Sequence, residues 1–258
     1  MLRFGLIGRQ IEYSKSPAIH NFLKGYLKKD FSYDLIDIDP SSLKILIEQL
    51  KLGIYHGFNV TQPYKEDIME YVDIVAPRAK KIQAVNTIYM KDGLIVGDNT
   101  DYEGFLGLLL YHHIEVEHKD VYILGTGGAA KACYQVLNDL KASVKYVTRD
   151  SLKANDQTIT YQELYDMNAD LLIQATPVGT YPYTDQSVLK KAYVKDKFVV
   201  DLVYRPQITQ ILKDAKDGVS GVLMLIIQAV KSLSLWLDEQ IEIKDELIDQ
   251  LKDVVIDE

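Results

Sequence analysis

The sequence has little of what marks secreted, membrane-spanning or nucleic-acid-binding proteins. Cys133 is the only cysteine among 258 residues, so it forms no internal disulfide and no thiolate metal cluster, and we expect it to be a buried apolar residue. The most apolar stretch, residues 221–230, is about half as long as the roughly 20 residues that a transmembrane helix requires. The 29 basic residues are outnumbered by 37 acidic residues and form no long run, which argues against nucleic-acid or anionic-membrane partners.

The amino-terminal segment MLRFGLIGRQ also lacks an apolar run that ends in a small-residue cleavage site, so we expect a cytoplasmic protein. What the chain does contain is a typical globular composition, with 47% hydrophobic and 26% charged residues. Its length suits one large domain or two domains of modest size.

Apolar runs and helical patterns alternate in two series, which predicts an α/β fold with largely parallel sheets. The first series has strands at 2–7 and 31–38, helices at 17–28 and 40–50, and a hairpin that joins 85–90 to 94–98. The second series has strands at 121–124, 144–147, 171–174 and 198–202, and a helix at 129–140. We place the domain break near Asp101 and interpret the acidic stretch from Asp238 as a solvated surface helix.

A glycine-rich turn follows the first strand of the second series. Gly125, Gly127 and Ala130 have the G-x-G-x-x-G/A spacing between an apolar strand and a helix, and Gly128 adds backbone access. In that context the glycines permit a tight turn and the approach of a pyrophosphate, while N–H groups at the helix start face the phosphates. A plain strand-to-helix turn is the alternative, but strand, motif and helix together favour dinucleotide binding.

The residues after the next strand favour NADP over NAD. An NAD site normally offers an acid to the ribose 2′-hydroxyl, whereas an NADP site offers a cation to the 2′-phosphate. Arg149 can make a forked contact with phosphate, Thr148 can add a hydroxyl, and Lys153 lies in the same turn. Asp150 is the competing signal for NAD.

Three polar clusters follow predicted strands of the first series: Ser14-Lys15-Ser16-Pro17, Asn59-Val60-Thr61-Gln62-Pro63-Tyr64-Lys65 and Asn99-Thr100-Asp101. Open α/β sheets bind ligands at the carboxyl ends of parallel strands, so the clusters could share one crevice. They could also be separate loops in which Ser and Asn only cap helices, and spacing alone does not decide between the two.

Taken together, the motifs resemble those of the shikimate dehydrogenase family. The first half of the chain carries Ser14-x-Ser16-Pro17, Asn59-Val60-Thr61-x-Pro63-x-Lys65, Asn86-Thr87 and Gly97-Asp98-Asn99-Thr100-Asp101. The second half carries the glycine-rich turn, Ala175-Thr176-Pro177-x-Gly179, Asp201-Leu202-Val203-Tyr204 and Met224-Leu225-x-x-Gln228. The motifs occur in family order from residue 5 to residue 236, and the ordered set is far more specific than any single motif.

The resemblance implies two α/β domains. An N-terminal substrate-binding and catalytic domain would comprise residues 1–101 plus 222–258, so that the C-terminal helices return to it, and a Rossmann-type NADP-binding domain would comprise residues 102–221. The implied activity is the reversible, NADPH-dependent reduction of 3-dehydroshikimate to shikimate in the chorismate and aromatic amino-acid pathway. Hydride addition to a ketone builds negative charge on its oxygen, and Lys65 beside Asp101 would be the general acid/base.

The resemblance also implies which residues bind ligands. Those for the substrate are Ser14, Ser16 and Tyr204 at the carboxylate, and Thr61, Asn86 and Gln228 at ring hydroxyls. Those for the cofactor are Gly125, Gly127, Gly128, Ala129, Thr148, Arg149, Lys153, Thr176 and Gly221. His20 is expected to be structural rather than a general base, and no metal is expected.

Several positions depart from the family pattern. They are Gln10 and Tyr13 in place of Pro and His, Tyr102 in place of the Gly after Asp101, Thr148 in place of Asn, Gln174 in place of Asn, and Thr180 in place of Met. Tyr102 bears on the freedom of the predicted hinge, because Gly adopts backbone dihedrals that Tyr resists.

Two other functions are compatible with the same motifs. A quinate/shikimate dehydrogenase that uses NAD would need room for an extra ring hydroxyl near Ser14, Ser16 and Thr61. A non-catalytic dinucleotide-sensing paralogue would keep the fold, since a fold does not fix function, but it has no need of the Lys65–Asp101 pair. The expected partner is a small-molecule substrate, without nucleic acid or membrane, and the expected assembly is a monomer or homodimer.

Overall fold

The chain forms two compact α/β units in a computed structural model that describes residues 1–256. The first unit comprises Met1–Gly104 together with the chain from Ile226 onward, and the second unit comprises Phe105–Leu225. Each unit contains one six-stranded sheet. The predicted fold class, two α/β domains with C-terminal helices that return to the first, is confirmed.

The sheet of the first unit is mixed. Its strands are β1 (Leu2–Gly8), β2 (Phe31–Asp37), β3 (Gly57–Val60), β4 (Ile74–Val75), β5 (Thr87–Lys91) and β6 (Leu94–Asp98), in the order β2-β1-β3-β5-β6-β4. β1 pairs in parallel with β2 and β3, whereas β5 runs antiparallel to both of its neighbours. The hairpin β5–β6 turns at Asp92-Gly93, where both residues have positive φ, as the sequence predicts.

Helices α1 (Ser16–Tyr26), α2 (Leu43–Lys51) and α3 (Pro77–Ile82) connect these strands, and α4 (Asp101–Tyr111) begins at the end of the first unit. The single helix predicted over 40–50 is a 3₁₀ turn, Pro40–Ser42, followed by α2. The apolar periodicity starts only at Leu43, so the polar residues before it have no buried face to hold them in an α-helix.

The second unit is a doubly wound parallel sheet. Its strands are β7 (Asp120–Leu124), β8 (Ser143–Thr148), β9 (Thr158–Thr160), β10 (Leu171–Gln174), β11 (Phe198–Asp201) and β12 (Asp217–Ser220), in the order β12-β11-β10-β7-β8-β9. All five pairings are parallel. This is the order of a dinucleotide-binding fold, in which ligands lie at the carboxyl ends of the strands where the order reverses, here between β7 and β10.

Four helices belong wholly to the second unit: α5 (Gly128–Asp139), α6 (Tyr161–Leu164), α7 (Lys191–Val194) and α8 (Gln210–Asp214). Cys133 is buried on α5, as expected. α9 (Val222–Leu237) and α10 (Asp245–Ile256) then complete the described chain. Among the helices of residues 1–256, none combines the length and the apolar character that a bilayer-spanning helix needs.

α10 corrects the prediction of a solvated helix after Asp238. Its residues Leu247, Ile248, Leu251 and Val255 are buried, and the helix packs against α1. These positions recur at intervals of three and four residues, so one face is apolar even though the segment as a whole is acidic.

Candidate active site

Lys65 and Asp101, the predicted catalytic pair, are in direct contact in the first unit. Lys65 lies on the turn between β3 and a 3₁₀ helix, Asp67–Tyr71, and its carbonyl oxygen accepts a hydrogen bond from the backbone N–H of Val85 at 2.8 Å. Asp101 is the first residue of α4. The Lys65 Nζ is 2.6 Å from the Asp101 Oδ2, and the two side chains are only 15% and 8% exposed. A charge-assisted contact so well shielded from water holds the ammonium in a defined place.

The orientation of the Asp101 carboxylate is fixed by neighbouring amides. Its Oδ1 accepts a hydrogen bond from the Asn86 Nδ2 at 2.9 Å, and its backbone N–H donates to the Asn99 Oδ1 at 3.1 Å. The Asn86 Oδ1 in turn accepts from the backbone N–H of Thr100 at 2.7 Å. Asn86, Asn99 and Thr100 are all buried, so this arrangement is made of satisfied polar groups that water does not loosen.

The serine loop precedes α1 in the same unit. The Ser14 hydroxyl donates to the Ser16 Oγ at 3.2 Å, and the backbone N–H of Ser16 donates to the Ser14 Oγ at 3.2 Å. Pro17 then occupies the first turn of α1, where its missing N–H costs nothing. The two predicted carboxylate-binding hydroxyls therefore lie side by side.

His20 is a structural residue in this arrangement. The side chain is completely buried on α1, its Nδ1 is 2.8 Å from the carbonyl oxygen of Ser16, and its ring stacks on Tyr33 with the centroids 3.9 Å apart. Burial lowers the pKa of His20 to about 4, so the imidazole is neutral at physiological pH. The neutral ring is hydrogen-bonded to the carbonyl oxygen of Ser16 and so supports the first turn of α1.

The other predicted substrate residues are divided between the units. Thr61 follows β3, where its backbone N–H donates to the carbonyl oxygen of Ile7 at 2.9 Å, and Gln228 lies on α9 with little exposed surface, both in the first unit. Tyr204 belongs to the second unit and lies on the loop after β11.

Two residues that the sequence reasoning did not assign to the site also enter its hydrogen-bond network. Asn59 Nδ2 donates to the Ser232 Oγ at 2.8 Å, and the Ser232 Oγ is 2.9 Å from the Thr100 Oγ1. Ser232 comes one helical turn after Gln228, which is the only sequence signal that it shares a face with a predicted site residue.

The glycine-rich turn has the shape that a pyrophosphate needs. Gly125 has φ +111°, and an added Cβ there would lie 3.0 Å from the Thr176 Cγ2, so only glycine suits this position. Around the Cβ position of Gly127 there is open space within 4 Å. Gly128 and Ala129 begin α5, and the N–H groups of a first helical turn have no partners within their helix. These residues therefore fit a dinucleotide.

At the end of β8, the acid that competed with Arg149 is engaged by the backbone. The Asp150 Oδ1 accepts from the N–H of Leu152 at 3.0 Å and caps the 3₁₀ turn Ser151–Lys153, while the Thr148 Oγ1 accepts from the N–H of Asp150 at 3.1 Å. Arg149 and Lys153 are exposed. Asp150 is exposed as well, so the turn presents two cationic side chains beside one carboxylate that is held by a hydrogen bond.

The loop after β10 carries Thr176 and is built by Gln174. The Gln174 Oε1 accepts hydrogen bonds from both the N–H and the hydroxyl of Thr176, each at 2.9 Å, and its Nε2 donates to the carbonyl oxygen of Val178 at 2.9 Å. Gln174, which stands where the family usually has Asn, therefore has both ends of its amide hydrogen-bonded. Gly221, the last predicted cofactor residue, precedes α9, and an added Cβ there would lie 2.4 Å from the carbonyl oxygen of Leu202.

Tyr102 and Tyr13 are accommodated without strain. Tyr102 is an ordinary residue of α4 without positive φ, and the Arg78 guanidinium lies 6.0 Å from its ring centroid. Tyr13 hydrogen-bonds to Gln62, and burial raises the pKa of its phenol. At Gln10 the backbone is left-handed, with φ +55°.

Residues 6–88 match the model of the shikimate dehydrogenase substrate binding domain. The shikimate dehydrogenase (NADP(+)) of Clostridium beijerinckii is 38% identical over 253 residues, which is 93% of this chain and 94% of that protein. The chain belongs to the shikimate dehydrogenase family. That membership confirms the family that the sequence motifs indicated.

Solved structures of the family share the fold over the full length. Shikimate dehydrogenase 1 from Peptoclostridium difficile has 34% identity and a TM-score of 0.92, covering 99% of this chain and 98% of its own. Shikimate 5-dehydrogenase from Thermus thermophilus, in complex with NADP(H) and shikimate, has 29% identity and a TM-score of 0.88, covering 99% and 100%. The chain therefore has the fold of these family members.

Proposed function

We propose that this chain catalyses the reversible, NADPH-dependent reduction of 3-dehydroshikimate to shikimate, a step toward chorismate and the aromatic amino acids. The observation that carries the proposal is the shielded Lys65–Asp101 contact in a member of the shikimate dehydrogenase family. A protein that only sensed a dinucleotide would gain nothing from a largely shielded ammonium held by an oriented carboxylate, because such a pair is costly to desolvate.

The chemistry follows from the positions of these groups. When bound, NADPH supplies the hydride that adds to the keto carbon of 3-dehydroshikimate. Lys65 donates a proton from its ammonium to the carbonyl oxygen as charge develops there, and it takes the proton back in the reverse direction. Asp101 holds the ammonium at 2.6 Å, and Asn86 holds the carboxylate from its other oxygen.

The remaining first-unit residues bind the substrate. Ser14 and Ser16 present adjacent hydroxyls to the carboxylate, while Thr61, Asn86 and Gln228 serve the ring hydroxyls. The first unit is accordingly the substrate-binding domain and the second unit the NADP-binding domain, with limits close to residues 101 and 222.

The second unit holds the cofactor. Gly125, Gly127, Gly128 and Ala129 lie against the pyrophosphate, and Thr176 and Gly221 line the neighbouring strand ends. Arg149, with Thr148 and Lys153, binds the 2′-phosphate, since a guanidinium matches phosphate in a forked geometry. The engagement of Asp150 as a cap supports NADP over NAD.

A crossed assay tests this function. Shikimate and quinate are each offered with NADP⁺ and with NAD⁺, and reduction of the cofactor is followed by absorbance. We expect the highest kcat/KM with shikimate and NADP⁺. Turnover of quinate with NAD⁺ at a higher kcat/KM would replace the proposal with a quinate dehydrogenase, and no turnover in any combination would overturn the enzyme assignment.

We further propose that the enzyme acts in the cytoplasm, where NADPH-dependent biosynthesis takes place, as a monomer or homodimer. Sedimentation of the purified protein distinguishes the two assemblies. A larger assembly would contradict the proposal.

A further inference from the structure

α9 presents a buried polar stripe to the catalytic residues of the first unit. Gln228, Ser232 and Trp236 are spaced four residues apart, so they lie on one face of a largely apolar helix. All three are buried, and Ser232 has no exposed surface at all. A buried hydroxyl in such a helix needs hydrogen-bond partners, and both of the partners of Ser232 lead toward the Lys65–Asp101 pair.

The hydrogen bonds of Ser232 form a chain with a defined direction. The Ser232 Oγ accepts from the Asn59 Nδ2 at 2.8 Å, so its own proton is available for the Thr100 Oγ1 at 2.9 Å. The Thr100 hydroxyl in turn lies 3.2 Å from the Asn86 Oδ1, to which it donates. Asn86 then donates to the carboxylate of Asp101. Ser232 is therefore three contacts away from the catalytic carboxylate.

A second contact fixes α9 on the same sheet one turn further along. The Trp236 Nε1 donates to the Thr87 Oγ1 at 2.9 Å, and the indole ring lies directly over Gly57, where an added Cβ would come within 2.6 Å of the ring. Two hydrogen bonds four residues apart determine both the rotation of a helix and its position along its axis. Ser232 is the member of this pair that meets the catalytic network.

We propose that Ser232 is a positioning residue of the reaction. It sets the place of α9 against the strand ends that carry Asn59 and precede Thr100, and thereby holds Gln228 and the Asp101 carboxylate in one fixed relation. The inference rests on the proposed function, since it concerns the same substrate site. It adds a group that touches neither substrate nor cofactor and acts through Thr100 and Asn86.

The test compares Ser232→Ala with Ser234→Ala in the full-length protein. Ser234 lies on the same helix and accepts a hydrogen bond from the backbone N–H of Ile241 at 3.2 Å, so its loss is a matched control for a helix hydroxyl outside the network. We expect Ser232→Ala to lower kcat/KM for shikimate about tenfold, less than the roughly hundredfold that a 1 Å misplacement can cost. The KM for NADP⁺ and all constants of Ser234→Ala should stay at parental values.

Two further variants separate positioning from folding. Ser232→Cys keeps the size and a weak donor, and it should recover part of the lost kcat/KM. Thr100→Val removes the hydroxyl on the other side of the contact without changing its shape. If Ser232 acts through Thr100, the double variant Thr100→Val/Ser232→Ala should lose little more than Thr100→Val alone. If Ser232→Ala does not fold, a lower kcat/KM in Thr100→Val together with a partly retained kcat/KM in Ser232→Cys would support the same conclusion.

The inference fails if Ser232→Ala turns shikimate over like the parent, if it weakens shikimate and NADP⁺ to the same extent, or if the losses from Thr100 and Ser232 simply add. A parent protein that turns over no shikimate is a different result. It would overturn the proposed function itself. An active parent whose Ser232→Ala variant has unchanged kinetic constants would overturn only the role of Ser232.

Discussion

Lys65 and Asp101 contact each other at a short distance in a shielded part of the first unit. We predict that Lys65→Ala lowers kcat for shikimate oxidation by about 10²–10⁴-fold, the usual contribution of a general acid or base, with a much smaller change in KM. Steady-state kinetics measures both constants. Lys81→Ala on the exposed side of α3 is the control and should behave like the parent. A rise in KM with unchanged kcat would show that Lys65 only binds substrate.

Arg149 is the residue proposed to set the choice of cofactor. We predict that Arg149→Ala raises the KM for NADP⁺ by about 10–100-fold while that for NAD⁺ changes little, because only NADP⁺ carries the 2′-phosphate that loses a charged hydrogen bond. Arg149→Lys keeps the charge without the fork and should give an intermediate value. Equal losses for the two cofactors would remove the 2′-phosphate assignment.

His20 gives the first unit a pH-dependent stability. Its folded pKa of about 4 lies below the ordinary 6.5, so its stabilising contribution is complete above pH 6.5 and is lost as the pH falls toward 4. The contribution amounts to roughly 3 kcal/mol. We predict that His20→Phe, which keeps an aromatic ring beside Tyr33 and cannot titrate, loses less stability than the parent between pH 7 and pH 4. Urea unfolding of both proteins at each pH measures the difference, and equal losses would contradict this role.

Single residues were predictable from sequence only where a motif carried them. Lys65 and Asp101 are separated by 36 positions, and in the sequence only the family pattern pairs them. Ser232 lies 173 positions from Asn59 and 132 from Thr100, and a serine in an apolar helix has no local feature that names its partners. Such a contact exists only once the chain has folded.

At the scale of elements, the end of β11 has an unusual carboxyl group. Asp201 is completely buried, accepts hydrogen bonds from the Thr209 hydroxyl and from the N–H of Val203, and so braces the loop that carries Tyr204. Burial raises the pKa of Asp201 to about 7, because the charged form is poorly solvated. A raised folded pKa means that stability is complete below the unfolded value of 3.8 and is lost as the pH rises through 7.

We therefore predict that Asp201→Asn becomes more stable relative to the parent as the pH rises from 4 to 8, by about 4 kcal/mol over the full range. The amide keeps acceptor and donor capacity toward Val203 and Thr209 but does not ionise. Unfolding of both proteins by urea at several pH values gives the difference directly, because groups that they share cancel. A difference that is constant with pH would contradict the prediction.

Long periodic elements were predictable, and short ones were not. The predicted bounds of β1, β7 and β10 agree with the structure to within a residue or two, because each strand is a separate, clearly bounded apolar run. β4, β9 and β12 have two to four residues each and were not predicted, since so short a strand is defined by its pairing partner rather than by its composition. The sequence predicts α10 only as a solvated helix, because its acidic residues conceal one apolar face.

At the scale of the whole molecule, ligands should stabilise the two units separately. A ligand that binds only the native state at 100 times its Kd adds about 2.7 kcal/mol to the free energy of unfolding. We predict that NADP⁺ alone slows hydrogen exchange chiefly in Phe105–Leu225, as measured by mass spectrometry. In Arg149→Ala, a higher concentration of NADP⁺ should be needed to give the same protection from exchange. Protection confined to the first unit would contradict the assignment of the second unit to the cofactor.

The overall architecture was predictable because the motifs occur in order and each half has its own strand–helix alternation. The strand order β12-β11-β10-β7-β8-β9 was not, since strands far apart in sequence pair only through the fold. The sequence motif predicts that the glycine-rich turn lies at the carboxyl end of β7. The closeness of Gly125 to Thr176 depends on the fold and is not predictable from the sequence.

The discontinuity of the first unit has a consequence for the order of events during synthesis. The second unit is one continuous stretch of 121 residues, Phe105–Leu225, and takes roughly 6–24 s to translate at about 5–20 residues per second. The first unit needs α9, which brings Gln228, Ser232 and Trp236 to the strand ends only after that interval. A nascent chain therefore contains the whole sequence of the second unit before it contains α9, so the first unit, with its proposed catalytic residues, cannot be complete until α9 has been made.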